Sequence, residues 1–84
     1  MSVQIYVGNI AYRMSEDTLK DLFAQHGEVI SAKIVTDRIS GKSRGFGFVE
    51  MADKDEAEKA IEKLNGSEIE GRNIRVNMAR PRRE

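Results

Sequence analysis

Few side chains in this chain could make or break a bond. There is no cysteine, so it has no thiolate nucleophile, no disulfide framework and no cysteine metal site. The single histidine, His26, falls at the end of a helical segment, where it suits the negative end of the helix dipole and has no evident base or nucleophile partner. "GKS" at 41–43 looks like the end of a phosphate-binding loop. Such a loop needs a glycine five residues before its Gly-Lys pair, and Thr36 stands there; the preceding strand also leads into a hairpin rather than a helix. The acids of the second helical segment alternate with lysines as on a solvated face. What remains is aromatic. In "RGFGFVEM", 44–51, Phe46 and Phe48 lie two apart with a glycine before each, and Tyr6 stands in "VQIYV", 3–7. Rings offer contact rather than catalysis, so the question is which way they point.

The elements that must position them follow from periodicity. In the first strand Val3, Ile5 and Val7 share one face and Gln4 and Tyr6 the other, a half-buried strand with Tyr6 directed away from the core. "SEDTLKDLFAQHG" reads as a helix: Ser15 as N-cap, Glu16 and Asp17 at the positive end, Met14 and Leu19 at staple positions, Leu19, Leu22 and Phe23 as the packing stripe, Gly27 as the stop. A second strand over 28–36 has Ile30, Ala32 and Ile34 on one face and Val29, Lys33 and Val35 on the other. "DRISGKS" is turn material before the third strand. The second helix, "DKDEAEKAIEKLNG", begins at Asp53 with Glu56 placed for a capping box, packs through Ala57, Ala60, Ile61 and Leu64, and ends at Asn65-Gly66. A last strand over 73–78 sets Ile74 and Val76 against Arg75 and Asn77. Pro81 and the charged residues after it form a short tail.

The order is β-α-β-β-α-β. Two helices with one apolar stripe each cover only one face of a sheet, which is the ferredoxin-like α+β sandwich with an open sheet face. In the third strand, outward glycines would weaken the strand to no purpose. Inward glycines let a helix approach closely, bury Val49 and Met51, and leave Phe46 and Phe48 on the open face beside Tyr6.

Eighty-four residues suffice for one domain, 1–80, with a tail at 81–84. The 14 basic and 14 acidic residues cancel, which argues against strong attraction of the whole molecule to nucleic acid. Their distribution is uneven. Residues 53–64 carry five acids against three bases, and 72–84 carry five arginines against one acid, so acidic helices face away from basic strands and loops. No stretch approaches the length of a membrane span, and no basic region precedes a long apolar run at the amino terminus. The expectation is a cytoplasmic protein without a membrane partner.

"RGFGFVEM" resembles the longer signature of the RNA recognition motif, K/R-G-F/Y-G/A-F-V-x-F/Y, at seven of its eight positions. Met51 replaces the final aromatic at a core-facing position. "IYVGNI", 5–10, resembles the shorter signature, and "TDRISGKSRGFGFV" is similar to single-motif bacterial RNA-binding proteins and to the motif of plant glycine-rich RNA-binding proteins. The resemblance runs from Val3 to about Arg80. It implies a four-stranded antiparallel sheet with the first and third strands at its centre, Tyr6 and Phe48 as stacking platforms for two bases, Phe46 against the sugars, and Arg44 on the phosphate. Strand phase adds Arg75, Asn77, Lys33 and Gln4 to the same face, and Arg80 joins them where the resemblance ends. The implied partner is single-stranded RNA, with single-stranded DNA as the variant, and no catalytic residue, metal, cofactor or small-molecule substrate. The alternatives are a protein-interaction module, favoured had the aromatic positions been aliphatic or polar, and a small phosphatase, which needs a phosphate cradle with a positioned water or nucleophile.

If the arginines act on phosphates rather than base edges, Arg44→Gln lowers affinity for two unrelated RNA oligomers alike. It also flattens log K against log salt by about 0.7, one phosphate's worth for a single strand. A changed sequence preference at constant slope would instead make Arg44 a base reader.

Overall fold

The computed structural model describes residues 2–36, 39–41 and 43–79, with backbone alone for Ser43 and Arg44. Arg38 and Lys42 of the basic loop, Arg80 and the tail lie outside the described residues. The chain runs β1 (Val3–Gly8), α1 (Glu16–Ala24), β2 (Val29–Thr36), β3 (Ser43–Met51), α2 (Lys54–Leu64), β4 (Glu68–Ile69), β5 (Arg72–Asn73) and β6 (Arg75–Ala79). Four strands form one sheet in the order β2-β3-β1-β6, every neighbouring pair antiparallel. This is the ferredoxin-like sandwich expected from the element order, with β1 and β3 at the centre.

Ile5, Val7, Val49, Met51 and Val76 from the sheet and Leu19, Phe23, Ala57, Ala60 and Leu64 from the helices belong to one buried cluster. Both helices therefore cover the same sheet face. Each large aliphatic side chain buried there contributes about 1.5–3 kcal/mol, and the other face keeps no such cover. Met51, the departure from the signature, is fully buried, so it bears on packing alone.

The helix ends differ in detail from their local signals. Ser15 caps α1 by accepting from the Thr18 N–H at 3.1 Å, worth about 1 kcal/mol. The helix stops at Ala24, ahead of Gly27, which does not take a left-handed conformation. Gly27 is required for space: a Cβ there would lie 2.6 Å from the Glu56 Cβ. Asp53 caps α2 by accepting from the Asp55 N–H at 3.2 Å. The capping box does not close, because Glu56 Oε1 instead accepts from the Glu28 N–H at 3.2 Å. The Ala52 N–H donates to the Glu28 carbonyl at 3.1 Å, so the start of β2 lies against the first turn of α2 and offers Glu56 a donor far away in sequence.

The alternation expected in β2 fails at its start. Val29 pairs with Met51 and Ser31 with Glu50, so Ile30 is the extra residue of a bulge. Ile30 is half exposed, while Val29 packs on the core with Ala32 and Ile34. The register shifts again between Ile34 and Thr36. There the Ile34 N–H donates to Glu16 Oε2 at 3.0 Å, so Glu16 serves the sheet as well as the helix dipole. The last strand begins at Arg75 rather than at 73, because β4 and β5 form a separate hairpin. Its turn residues Glu70 and Gly71 have φ of 53° and 84°, as a type I′ turn requires.

The inward glycines of β3 also need a corrected cause. Gly47 is buried, but its close neighbour is a strand, not a helix. A Cβ on it would collide with the Lys33 carbonyl oxygen and come within 3.1 Å of the Ile34 Cα of β2. Gly45 has a φ of 88°, which other residues adopt only under strain. Because Gly47 meets backbone and Phe48 meets solvent, Gly47→Val should destabilise by about 1–3 kcal/mol and Phe48→Ala by less. Two melting curves decide it; the reverse ranking would invert the assignment of faces.

Candidate nucleic-acid interface

Strand register arranges the open face in rows. Phe48 is opposite Lys33 on one side and Tyr6 on the other, and Tyr6 is opposite Asn77. The row Lys33, Phe48, Tyr6, Asn77 thus crosses the whole sheet, about 14 Å at ~4.8 Å per strand. In the next row Gly8 lies between Phe46 and Arg75. On the opposite side of the aromatic row, Ser31, Glu50, Gln4 and Ala79 are aligned. Tyr6, Phe46, Phe48, Gln4, Lys33, Arg75 and Asn77 therefore come together on one face. The Arg44 backbone belongs to β3, but its side chain, like all of Arg80, lies outside the described residues.

The three rings hold one another. Tyr6 lies 5.8 Å from Phe46, tilted by 35°, and 5.8 Å from Phe48 edge-on at 69°. Phe46 and Phe48 are 6.3 Å apart and nearly perpendicular. Such offset and edge contacts add about 0.5–1.5 kcal/mol per pair. Tyr6 and Phe46 are half buried, whereas Phe48 is 37% exposed. Gly8 makes room for the tyrosine: a Cβ there would lie 2.6 Å from the Tyr6 hydroxyl and 2.9 Å from Cε2. The ring rests over the glycine two residues ahead of it on the same face.

Around the rings the face is polar and mixed in charge. Lys33 and Arg75 are exposed on opposite sides of the ring cluster. Among the described residues the one ion pair joins Arg13 and Glu70 at 3.8 Å, so neither Lys33 nor Arg75 is neutralised there by a carboxylate. Glu50 brings one negative charge to a corner of the face, where the Ser2 hydroxyl donates to Oε2 at 2.5 Å. With Gln4, Ser31 and Lys33 it lines a groove of about 510 Å³ beside Phe48. Glu50 and Ser31 were not singled out in the sequence, although Glu50 shares the phase of the two phenylalanines. Two further residues had no periodic signal at all. Tyr12, 70% exposed, lies in the turn after β1, and Arg72 lies in the hairpin; their side chains meet across the edge of the ring cluster.

An antiparallel sheet backed by two helices, with aromatics on its two central strands and cations on either side, defines a class of sheet-face binding platform. The RNA recognition motif family model matches residues 5–75, and the chain belongs to that family. It is 48% identical over 82 residues to RbpA of Nostoc sp., covering 98% of this chain and 80% of RbpA. It is 51% identical over 81 residues to a 31 kDa chloroplastic ribonucleoprotein of Nicotiana sylvestris, covering 96% of this chain but only 26% of that protein. Among solved structures, RNA Binding Protein PG1 superposes with a TM-score of 0.92 at 50% identity, over 98% of this chain and 99% of PG1. The Rna15 RRM with bound RNA (GU) superposes with a TM-score of 0.81 at 30% identity, over 90% and 81% of the two chains. These relatives overturn the expectation of a cytoplasmic protein. Chloroplastic ribonucleoproteins of tobacco, spinach and Arabidopsis match nearly the whole chain.

Gly8→Ala tests how the platform is built. The added methyl meets the far end of a side chain rather than backbone, so the fold should persist while the Tyr6 ring swings away. Ring-current shifts of Phe46 and Phe48 protons should change markedly, with a melting temperature lowered less than by Gly47→Val. Unchanged ring shifts would show that Gly8 does not seat Tyr6.

Proposed function

We propose that the open sheet face binds single-stranded RNA, two bases stacking on Tyr6 and Phe48 with the intervening sugars against Phe46. The observation that carries this is the contiguous three-ring cluster on β1 and β3, left uncovered by either helix, in a member of this family. Every base has a π-face, and unpaired bases can lie flat on rings, which a stacked duplex forbids. Lys33 and Arg75 flank the rings, where they would meet phosphates, and Arg44 and Arg80 would add to them. Gln4, Asn77 and Glu50 offer donors and acceptors to base edges. A carboxylate there favours a base edge carrying an amino group over one carrying only carbonyls.

The net charge of zero bears on strength. Attraction to phosphates then comes from these local cations rather than from the molecule as a whole, so long-range attraction adds little and the stacking contacts carry a large share of the affinity. One such module gives modest binding alone, and linking it to further modules raises avidity.

Phe48→Ala and Tyr6→Ala should each weaken binding of a short RNA by about 1–3 kcal/mol while the protein stays folded. Titration followed by sheet amide shifts measures both. A folded double variant with wild-type affinity would eliminate stacking as the mode of binding.

A further inference from the structure

The four-stranded sheet ends in β2 on one rim and β6 on the other. An open rim is a row of N–H and C=O groups that a further strand can join. On each rim a side chain from a helix end has taken one of these donors. The Ile34 N–H of β2 donates to Glu16 Oε2 at 3.0 Å, and the Val76 N–H of β6 donates to Asn65 Oδ1 at 2.9 Å. Glu16 is the first residue of α1, and Asn65 is the C-cap of α2. The β6 strand has five residues and β2 has eight, so β2 is the rim with more to offer a partner. The Lys33 carbonyl lies on the β3 side, where a Cβ on Gly47 would strike it. By alternation the backbone groups of Ala32 and Ile34 point outward. The bulge at Ile30 interrupts the rim before Ala32, so an incoming strand must engage Ala32 and Ile34. Glu16 already occupies the second of these.

We propose that Glu16 guards the β2 rim: by holding the Ile34 N–H, it keeps β2 from pairing antiparallel with β2 of a second copy of this chain. A second copy is the partner that the strand's own chemistry fits. Lys33 is the single charge in β2, and the strand contains neither proline nor glycine, so little within it discourages pairing. A two-fold pair sets the strand against itself, and the half-exposed Ile30 gives each copy apolar surface to cover. The net charge of zero means that two copies do not repel each other as wholes. What stands against pairing is the carboxylate. It satisfies the Ile34 donor in advance and occupies the place of the incoming strand's carbonyl, whose partial negative charge it repels. The guard acts on the rim and not on the open face, so it is independent of the RNA-binding function proposed above.

The test follows molar mass by sedimentation, from about 10 μM to about 1 mM, in the wild-type protein and three variants. Glu16→Ala removes the acceptor. Glu16→Asp keeps a carboxylate at the start of α1, and with it the favourable charge on the helix dipole, but is one methylene too short to reach Ile34. Glu16→Gln keeps the reach and an accepting carbonyl oxygen. The wild-type protein and Glu16→Gln should stay monomeric throughout, whereas Glu16→Ala and Glu16→Asp should approach twice the mass of one chain at the top of the series. In dilute solution the Ile34 amide should exchange with solvent about tenfold faster in Glu16→Ala and Glu16→Asp than in the wild-type protein, which reads the guard before any pairing. On concentration, amide shifts should change along 29–36 and return when Ile30→Lys is added to Glu16→Asp, since a charge from each copy then meets at the rim. A folded Glu16→Asp that stays monomeric at the highest concentration would overturn the proposal. So would an unchanged Ile34 exchange rate, or association that shifts amides away from β2. Monomeric variants that instead take up an added peptide of sequence 28–36 would show an open rim without self-pairing, and would overturn the choice of a second copy as partner.

Discussion

The open face depends on the antiparallel register of β1 against β3, which sets Tyr6 directly opposite Phe48. Side chains alternate with period two, so a slip of one residue would turn the slipped strand over, sending its rings inward and bringing Ile5 and Val7, or Val49 and Met51, to solvent. All four side chains are fully buried, and exposing either pair would cost several kcal/mol. The binding surface is therefore held by residues that never touch it. The same constraint explains the tolerance at Met51: what the core needs there is apolar volume, and a flexible thioether chain fills it.

Three glycines then shape the platform in three separate ways. Gly8 leaves the floor on which Tyr6 lies. Gly47 lets β2 come close enough to place Lys33 beside Phe48. Gly45 supplies a left-handed turn of the chain next to Phe46, and its carbonyl receives the Ile10 N–H. Each is a position where an added methyl would disturb either the rings or the strands that carry them. The charges complete the surface without dominating it. Cations stand on both sides of the rings and one carboxylate at a corner.

Much of this was readable in the residues. The clean alternation of 3–7 directs Tyr6 outward, and the glycine-ring-glycine-ring pattern of 44–51 directs both phenylalanines to the same side. The helical stripes locate the core, and the caps at Ser15 and Asp53 form where polar residues precede an apolar run. The failures share a cause. Ile30 breaks phase because β2 must absorb a bulge to stay in register with β3. Glu56 abandons its capping box because Glu28, distant in sequence, presents an N–H to it. Gly27 looks like a helix stop and is instead a space for the same Glu56 side chain.

What the sequence determined by itself is direction: which face of each strand and which stripe of each helix is apolar, and hence which residues stand on the uncovered face. That information is local, because it rests on backbone periods of 2 and 3.6 residues. What only the tertiary structure decided is company. The pairing of Tyr6 with Phe48 and Asn77, the corner made by Glu50 and Ser2, and the meeting of Tyr12 and Asn9 with Arg72 join residues tens of positions apart. No period encodes such meetings, because they are fixed by how the hairpin and loops fold back against a sheet already in register.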